Sequence, residues 1–179
     1  MKAITIVLLA ITSLAWGETL APSREEMAAV ERSMYDKMLR FNVESPADVL
    51  GLPRGIYLDG VGVVFTAEFS PLVTPGISPF RPVMSKEQIA QIRAAKEQRM
   101  PQVRAMMRQM MVDAASTLDR LPKNEQVVLG FVMFYTKWED RGRMPRVITM
   151  QAEKGALLDV ATNRAPAQTL EKTITVREE

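Results

Sequence analysis

Apolar and polar positions along the chain fall into stretches of two periods. From Met27, apolar residues recur every three or four positions through Val30, Met34, Met38 and Phe41. That is the spacing of a helix with one buried face. Ser23 with Glu26 three residues later forms a capping box, which predicts a helix start at about 24. From Val61 the period falls to two. Val61, Val63, Phe65, Ala67 and Phe69 alternate with positions that include Gly62, Thr66 and Glu68, the pattern of a strand buried on one face. Asp59-Gly60 ahead of it predicts either a tight hairpin between Ile56–Leu58 and Val61–Phe69 or a bulge in one long strand, with the hairpin favoured. Ser85 and Gln88 repeat the capping box. Beyond them Ile89, Ile92, Met100, Val103, Met107, Met110, Ala114, Leu118 and Leu121 share one side of a helical wheel. The phase survives Pro101, so the spacing predicts one long helix kinked there, or two abutting helices, to about Leu121. Lys96 also lies in this stripe and predicts a turn near the edge of the core.

Residues Glu125 to Trp138 carry apolar side chains on both faces and read as a central strand. The charged turn Glu139–Arg143 leads to a partner strand over Arg146–Ala152, antiparallel by its short connection. A short helix is expected within Glu153–Asn163 and an edge strand at Ile174–Val176. Residues 42–55 read as a connector. Residues 70–84 hold Pro71, Pro75, Pro79 and Pro82 and read as a long loop, because proline suits neither helix nor central strand. The expected fold is α+β: an antiparallel sheet of about three to five strands packed against the long kinked helix, with an N-terminal amphipathic helix.

Residues 1–17 change the picture of the whole chain. Met1-Lys2 precedes an apolar run from Ala3 to Ala15, and Ala15 and Gly17 are small residues placed for cleavage before Glu18. This pattern predicts a signal peptide, which leaves residues 18–179 as one α+β domain with an uncertain C-terminal segment over 164–179. The apolar run is shorter than the roughly 20 residues of a membrane span. The expected product is therefore an exported protein, periplasmic or secreted, with no stable membrane anchor.

Composition narrows the chemistry further. The chain has 23 basic residues, 21 acidic ones, and no histidine or cysteine. So even a charge balance gives no footprint for nucleic acid. Without histidine or cysteine there is no Ser-His-Asp or Cys-His nucleophile system and no nitrogen–sulfur zinc site. No cofactor and no metal are expected. The absence of disulfides also requires stability through packing alone.

Four groups of residues merit attention as chemistry. Met100, Met106, Met107, Met110 and Met111 crowd one helix; they offer either thioethers for Cu(I) or flexible core filling. Arg93, Arg104 and Arg108 form a basic flank on the same helix, which could meet an anionic partner or serve as a solvated face. Phe80 and Arg81 sit between Pro79 and Pro82, a stiff frame for a recognition edge. Asp59, Glu68, Glu139 and Asp140 are the carboxylates from which a hydrolase would draw its pair. Trp138 stands beside the charged turn. Ser85-Lys-Glu-Gln-Ile-Ala-Gln-Ile-Arg93, followed by a Met/Arg/Gln-rich helix, resembles the LTxxQ-motif periplasmic stress chaperones, with Met84-Ser85 in place of Leu-Thr. That resemblance implies an all-helical cradle for unfolded chains, from which the strands expected at 61–69 and 126–136 depart. The reading the residues favour is a non-enzymatic module that binds another protein of the bacterial envelope. Its candidate contacts are Phe80, Arg81, Arg93, Arg104, Arg108 and Trp138. The alternatives are a carboxylate-based envelope hydrolase and a Met-based Cu(I) or chaperone-like binding protein.

Overall fold

The computed structural model describes residues 21–42, 44, 46–74 and 84–179. Helix α1 spans Arg24–Leu39 and α2 spans Lys86–Thr117. Both begin at the expected capping boxes, with Ser23 accepting from the Glu26 N–H and Ser85 from the Gln88 N–H. Helix α2 runs unbroken through Pro101. The strands are β1 (Asp48–Val49), β2 (Arg54–Leu58), β3 (Gly62–Ser70), β4 (Gln126–Met133), β5 (Val147–Glu153) and β6 (Thr175–Glu178). Helix α3 covers Lys154–Ala161 and the single turn α4 covers Leu170–Thr173.

The six strands form one mixed, mostly antiparallel sheet in the order β1-β3-β4-β5-β6, with β2 paired along the first half of β3. Two expectations are corrected here. The sheet has six strands, not three to five, because β1 pairs with the last two residues of β3 from within the 42–55 connector. And β3 and β4 run parallel, Gly62 opposite Gln126 and Phe69 opposite Met133. The reason is the connection. Helix α2, about 48 Å long at 1.5 Å per residue, carries the chain back from the end of β3 to its beginning. That is the crossover a parallel pair needs. Strand β4 also ends at Met133, so Trp138 lies in the segment beyond it.

The β2–β3 hairpin turns at Asp59-Gly60 as expected, with Gly60 at φ +70°. Gly62 marks the close start of the β3–β4 pair. It adopts φ +132°, and a Cβ there would collide with the Gln126 backbone. One face of the sheet is dry. Val63, Phe65, Ala67 and Phe69 of β3 meet Val127, Leu129, Phe131 and Met133 of β4, and Ile148 and Met150 of β5. Against them pack Val30, Met34 and Met38 of α1, and Met100, Val103, Met107, Met110 and Met111 of α2. Methionine is flexible enough to fill the uneven space between helices and a twisted sheet. The opposite face carries Val64, Thr66, Glu68, Val128, Gly130, Val132, Val147 and Thr149, all half-buried or exposed. No helix among the described residues is long and apolar enough to cross a membrane.

Candidate functional site

Helix α2 leaves its Lys96 side chain at the end of the sheet where β3 and β4 finish. Lys96 is fully buried, which corrects the expectation of a turn at the edge of the core. A buried ammonium needs a counter-charge and hydrogen-bond acceptors. Glu139, from the segment after β4, supplies the charge. Its Oε2 lies 2.5 Å from Lys96 Nζ, and its side chain is as buried as the lysine's. Lys96 also donates to the Phe134 carbonyl at 3.4 Å and sits 5.1 Å from the centre of the Tyr135 ring, within cation–π range. Glu139 Oε1 accepts from the Thr136 N–H at 3.1 Å, the Thr136 hydroxyl at 2.9 Å and the Thr74 hydroxyl at 3.3 Å. Both carboxylate oxygens therefore have partners. This is a tie between α2, the 70–74 segment and the 134–145 segment.

Further contacts reinforce the same junction. Arg99 donates to the Pro71 carbonyl at 2.6 Å. Arg93 pairs with Asp140 at 2.6 Å and with Glu97 at 3.5 Å. The Gly142 N–H and the Arg93 guanidinium hold the Asp140 carboxyl below the usual carboxylate range. The Tyr135 hydroxyl donates to the Pro145 carbonyl at 2.9 Å, and burial pushes its pKa up to about 12. Trp138 sits half-buried in this segment. On the other side of the Phe134–Tyr135 backbone, Glu68, Val132, Phe134, Arg146 and Val147 line an open apolar cleft of about 300 Å³.

The structure thus brings Arg93, Trp138 and the start of the Pro-rich loop to one end of the sheet. Phe80 and Arg81 lie outside the described residues. Arg104 is elsewhere on α2, held bidentately by Glu178 of β6 at 2.6 and 2.9 Å. That pairing raises the Arg104 pKa and lowers that of Glu178. The Nε of Arg108 is buried and has no partner among the described residues. The arginine flank is therefore divided between two ends of the sheet's cover. Of the four carboxylates, Asp59 stands apart. It lies at the hairpin turn, at the far end of β3 from Glu68, Glu139 and Asp140, where the Tyr57 hydroxyl donates to it at 3.4 Å. Met107, Met110 and Met111 belong to the core and Met106 packs against it.

A second buried lysine went unmarked in the sequence. Lys154, at the start of α3, donates to the carbonyls of Leu118 at 2.5 Å, Asp119 at 3.1 Å and Leu121 at 2.6 Å. These carbonyls belong to the C-cap of α2 and the turn that follows it, where a cation also meets the negative end of the helix dipole. Burial pulls the Lys154 pKa down. No local signal marks either lysine. Lys96 stands out only as a charge in an otherwise apolar stripe. The chain matches no known protein family, no curated protein and no solved structure.

Proposed function

We propose that this protein is an exported, non-enzymatic binding module of the bacterial envelope, and that it meets its partner protein at the end of the sheet framed by Lys96 and Glu139. The observation that carries the reading is convergence. Arg93 pairs with Asp140, Trp138 adjoins Glu139 in sequence, and Thr74 donates to Glu139, all beside the buried Lys96–Glu139 pair. Loops held on a rigid frame are where binding residues concentrate. A half-buried tryptophan beside charged groups has the composition of an interface anchor. The signal pattern at 1–17 supports export, and it predicts a mature N-terminus at Glu18.

The test is site-specific photo-crosslinking in the native envelope fraction. A crosslinker at Trp138 is expected to capture one dominant protein, and a crosslinker at Gly60, at the opposite end, to capture none. Equal capture from both positions, or none from Trp138, would overturn the reading. The N-terminal residue of the exported protein, read by mass spectrometry, checks the cleavage site.

A further inference from the structure

The hairpin end of the sheet holds a buried charge that the fold leaves half satisfied. Glu125, the residue before β4, is 8% exposed. Its backbone is fixed on both sides: the N–H donates to the Pro122 carbonyl at 3.1 Å, and the carbonyl accepts from the Lys154 N–H at 2.9 Å. One side-chain oxygen, Oε1, accepts from the Tyr57 hydroxyl at 3.2 Å. The other, Oε2, is buried and has no partner among the described residues. No lysine or arginine among them forms an ion pair with Glu125. A buried carboxylate is costly unless a counter-charge and hydrogen bonds attend it. An orphaned buried oxygen of this kind calls for an ion, a proton or a water.

A second carboxylate stands on the same hydroxyl. Asp59, in the turn of the β2–β3 hairpin, places Oδ1 3.4 Å from the Tyr57 oxygen. It too has no ion-pair partner among the described residues. A phenol has one proton to donate, so it serves one of the two carboxylates and meets the other with a lone pair. Burial first, and then the two carboxylates, push the Tyr57 pKa up. The hydroxyl therefore stays neutral, and the two negative charges beside it go unbalanced.

The donors indicate what balances them. All are oxygens, which suit a hard divalent cation. Glu125 supplies the inner side. Asp59 is exposed, so water completes the shell from outside. Ca²⁺ accepts an irregular oxygen set of this kind, whereas Mg²⁺ demands near-octahedral geometry. No third acidic side chain joins the two among the described residues, so the site belongs to the weak class, with Kd about 0.1–1 mM. A proton on Glu125 would remove one of the two charges, and a water neither.

We propose that Asp59 and Glu125, with the Tyr57 hydroxyl between them, bind Ca²⁺ and so tie the hairpin turn to the start of β4. The site lies at the opposite end of β3 from Trp138 and is independent of the partner site there.

Two-dimensional NMR of the purified, chelator-treated protein, titrated with CaCl₂, tests it. Saturable shifts are expected in the amides of 57–62 and 123–127, with Kd about 0.1–1 mM, and none in 134–145. Glu125→Gln and Asp59→Asn each remove one charge at nearly constant shape, and each is expected to weaken binding by at least about tenfold. The same spectra show that each variant is folded. The thermal unfolding midpoint of the wild type is expected to rise with Ca²⁺, and that of Glu125→Gln to stay where it is. No saturable shift up to about 10 mM Ca²⁺ overturns the proposal and leaves Oε2 to a proton or a water. So do the same shifts produced by choline chloride at equal ionic strength, or a folded Glu125→Gln that binds as the wild type does.

Discussion

Two lysines are buried at opposite ends of this molecule, and they are satisfied by different means. Lys154 gives its three protons to the carbonyls of Leu118, Asp119 and Leu121. Those acceptors belong to the backbone that closes α2, so the lysine completes the helix end. Lys96 pairs with one side chain, Glu139, across 43 residues of sequence. Glu139 in turn gathers Thr136 and Thr74. The first arrangement finishes a regular element. The second holds irregular segments in place, at the end of the sheet where Arg93 and Trp138 lie. A backbone cage secures the fold, whereas a side-chain pair sets the position of loops.

The largest expected effect comes from breaking the second arrangement. Lys96→Met leaves the Glu139 carboxylate buried without its cation and is expected to cost about 3–5 kcal/mol in denaturant unfolding. Adding Glu139→Leu is expected to recover most of that loss, because an apolar pair of similar volume is close to neutral. If the double variant is no more stable than Lys96→Met alone, Glu139 is not the compensating group.

A smaller effect appears at alkaline pH. Tyr135 ionises at about 12 in the folded protein but near 10 when unfolded. Between these values the unfolded chain has released the proton and the folded one has kept it. Stability is therefore full below about pH 10 and falls as pH rises toward about 12. Tyr57, whose pKa is raised by burial and by Glu125, adds a slope of the same sign. Tyr135→Phe is expected to flatten the decline without abolishing it, as read from unfolding midpoints at a series of pH values. An unchanged slope would mean Tyr135 is open to solvent.

The smallest effect belongs to the partly exposed Arg104–Glu178 pair that fastens β6 to α2. Arg104→Ala is expected to cost about 0.5–1 kcal/mol. The Glu178 carboxyl is held below its ordinary range, so its contribution is lost as pH falls through its folded pKa. In Arg104→Ala, that acid-side loss should be absent.

Much of the fold was legible because its signals are local. Ser23 with Glu26 and Ser85 with Gln88 set both long helices. The period-two run from Val63 to Phe69 set β3, Asp59-Gly60 set the hairpin, and the stripe from Met100 to Leu121 set the buried side of α2. Three features were not legible, and each depends on distant pairing. Strand β1 is two residues long and owes its existence to the end of β3. The parallel register of β3 and β4 follows from the length of α2, which periodicity does not encode. Glu139 reads as one more charge in the turn Glu139-Asp-Arg-Gly-Arg143, and only the fold carries Lys96 to it. Arg93 and Trp138 stand out by residue type alone, while the Lys96–Glu139 pair between their segments does not.

Hydrogen exchange on the folded protein tests the contrast between the two lysines most directly. Glu139→Gln is expected to raise exchange in residues 134–145 and 70–74 and to leave 118–125 protected. Lys154→Met is expected to do the reverse. If both variants raise exchange equally at both ends, the two lysines serve one cooperative core, and the Lys96–Glu139 pair is not a separate frame for the segments at its end of the sheet.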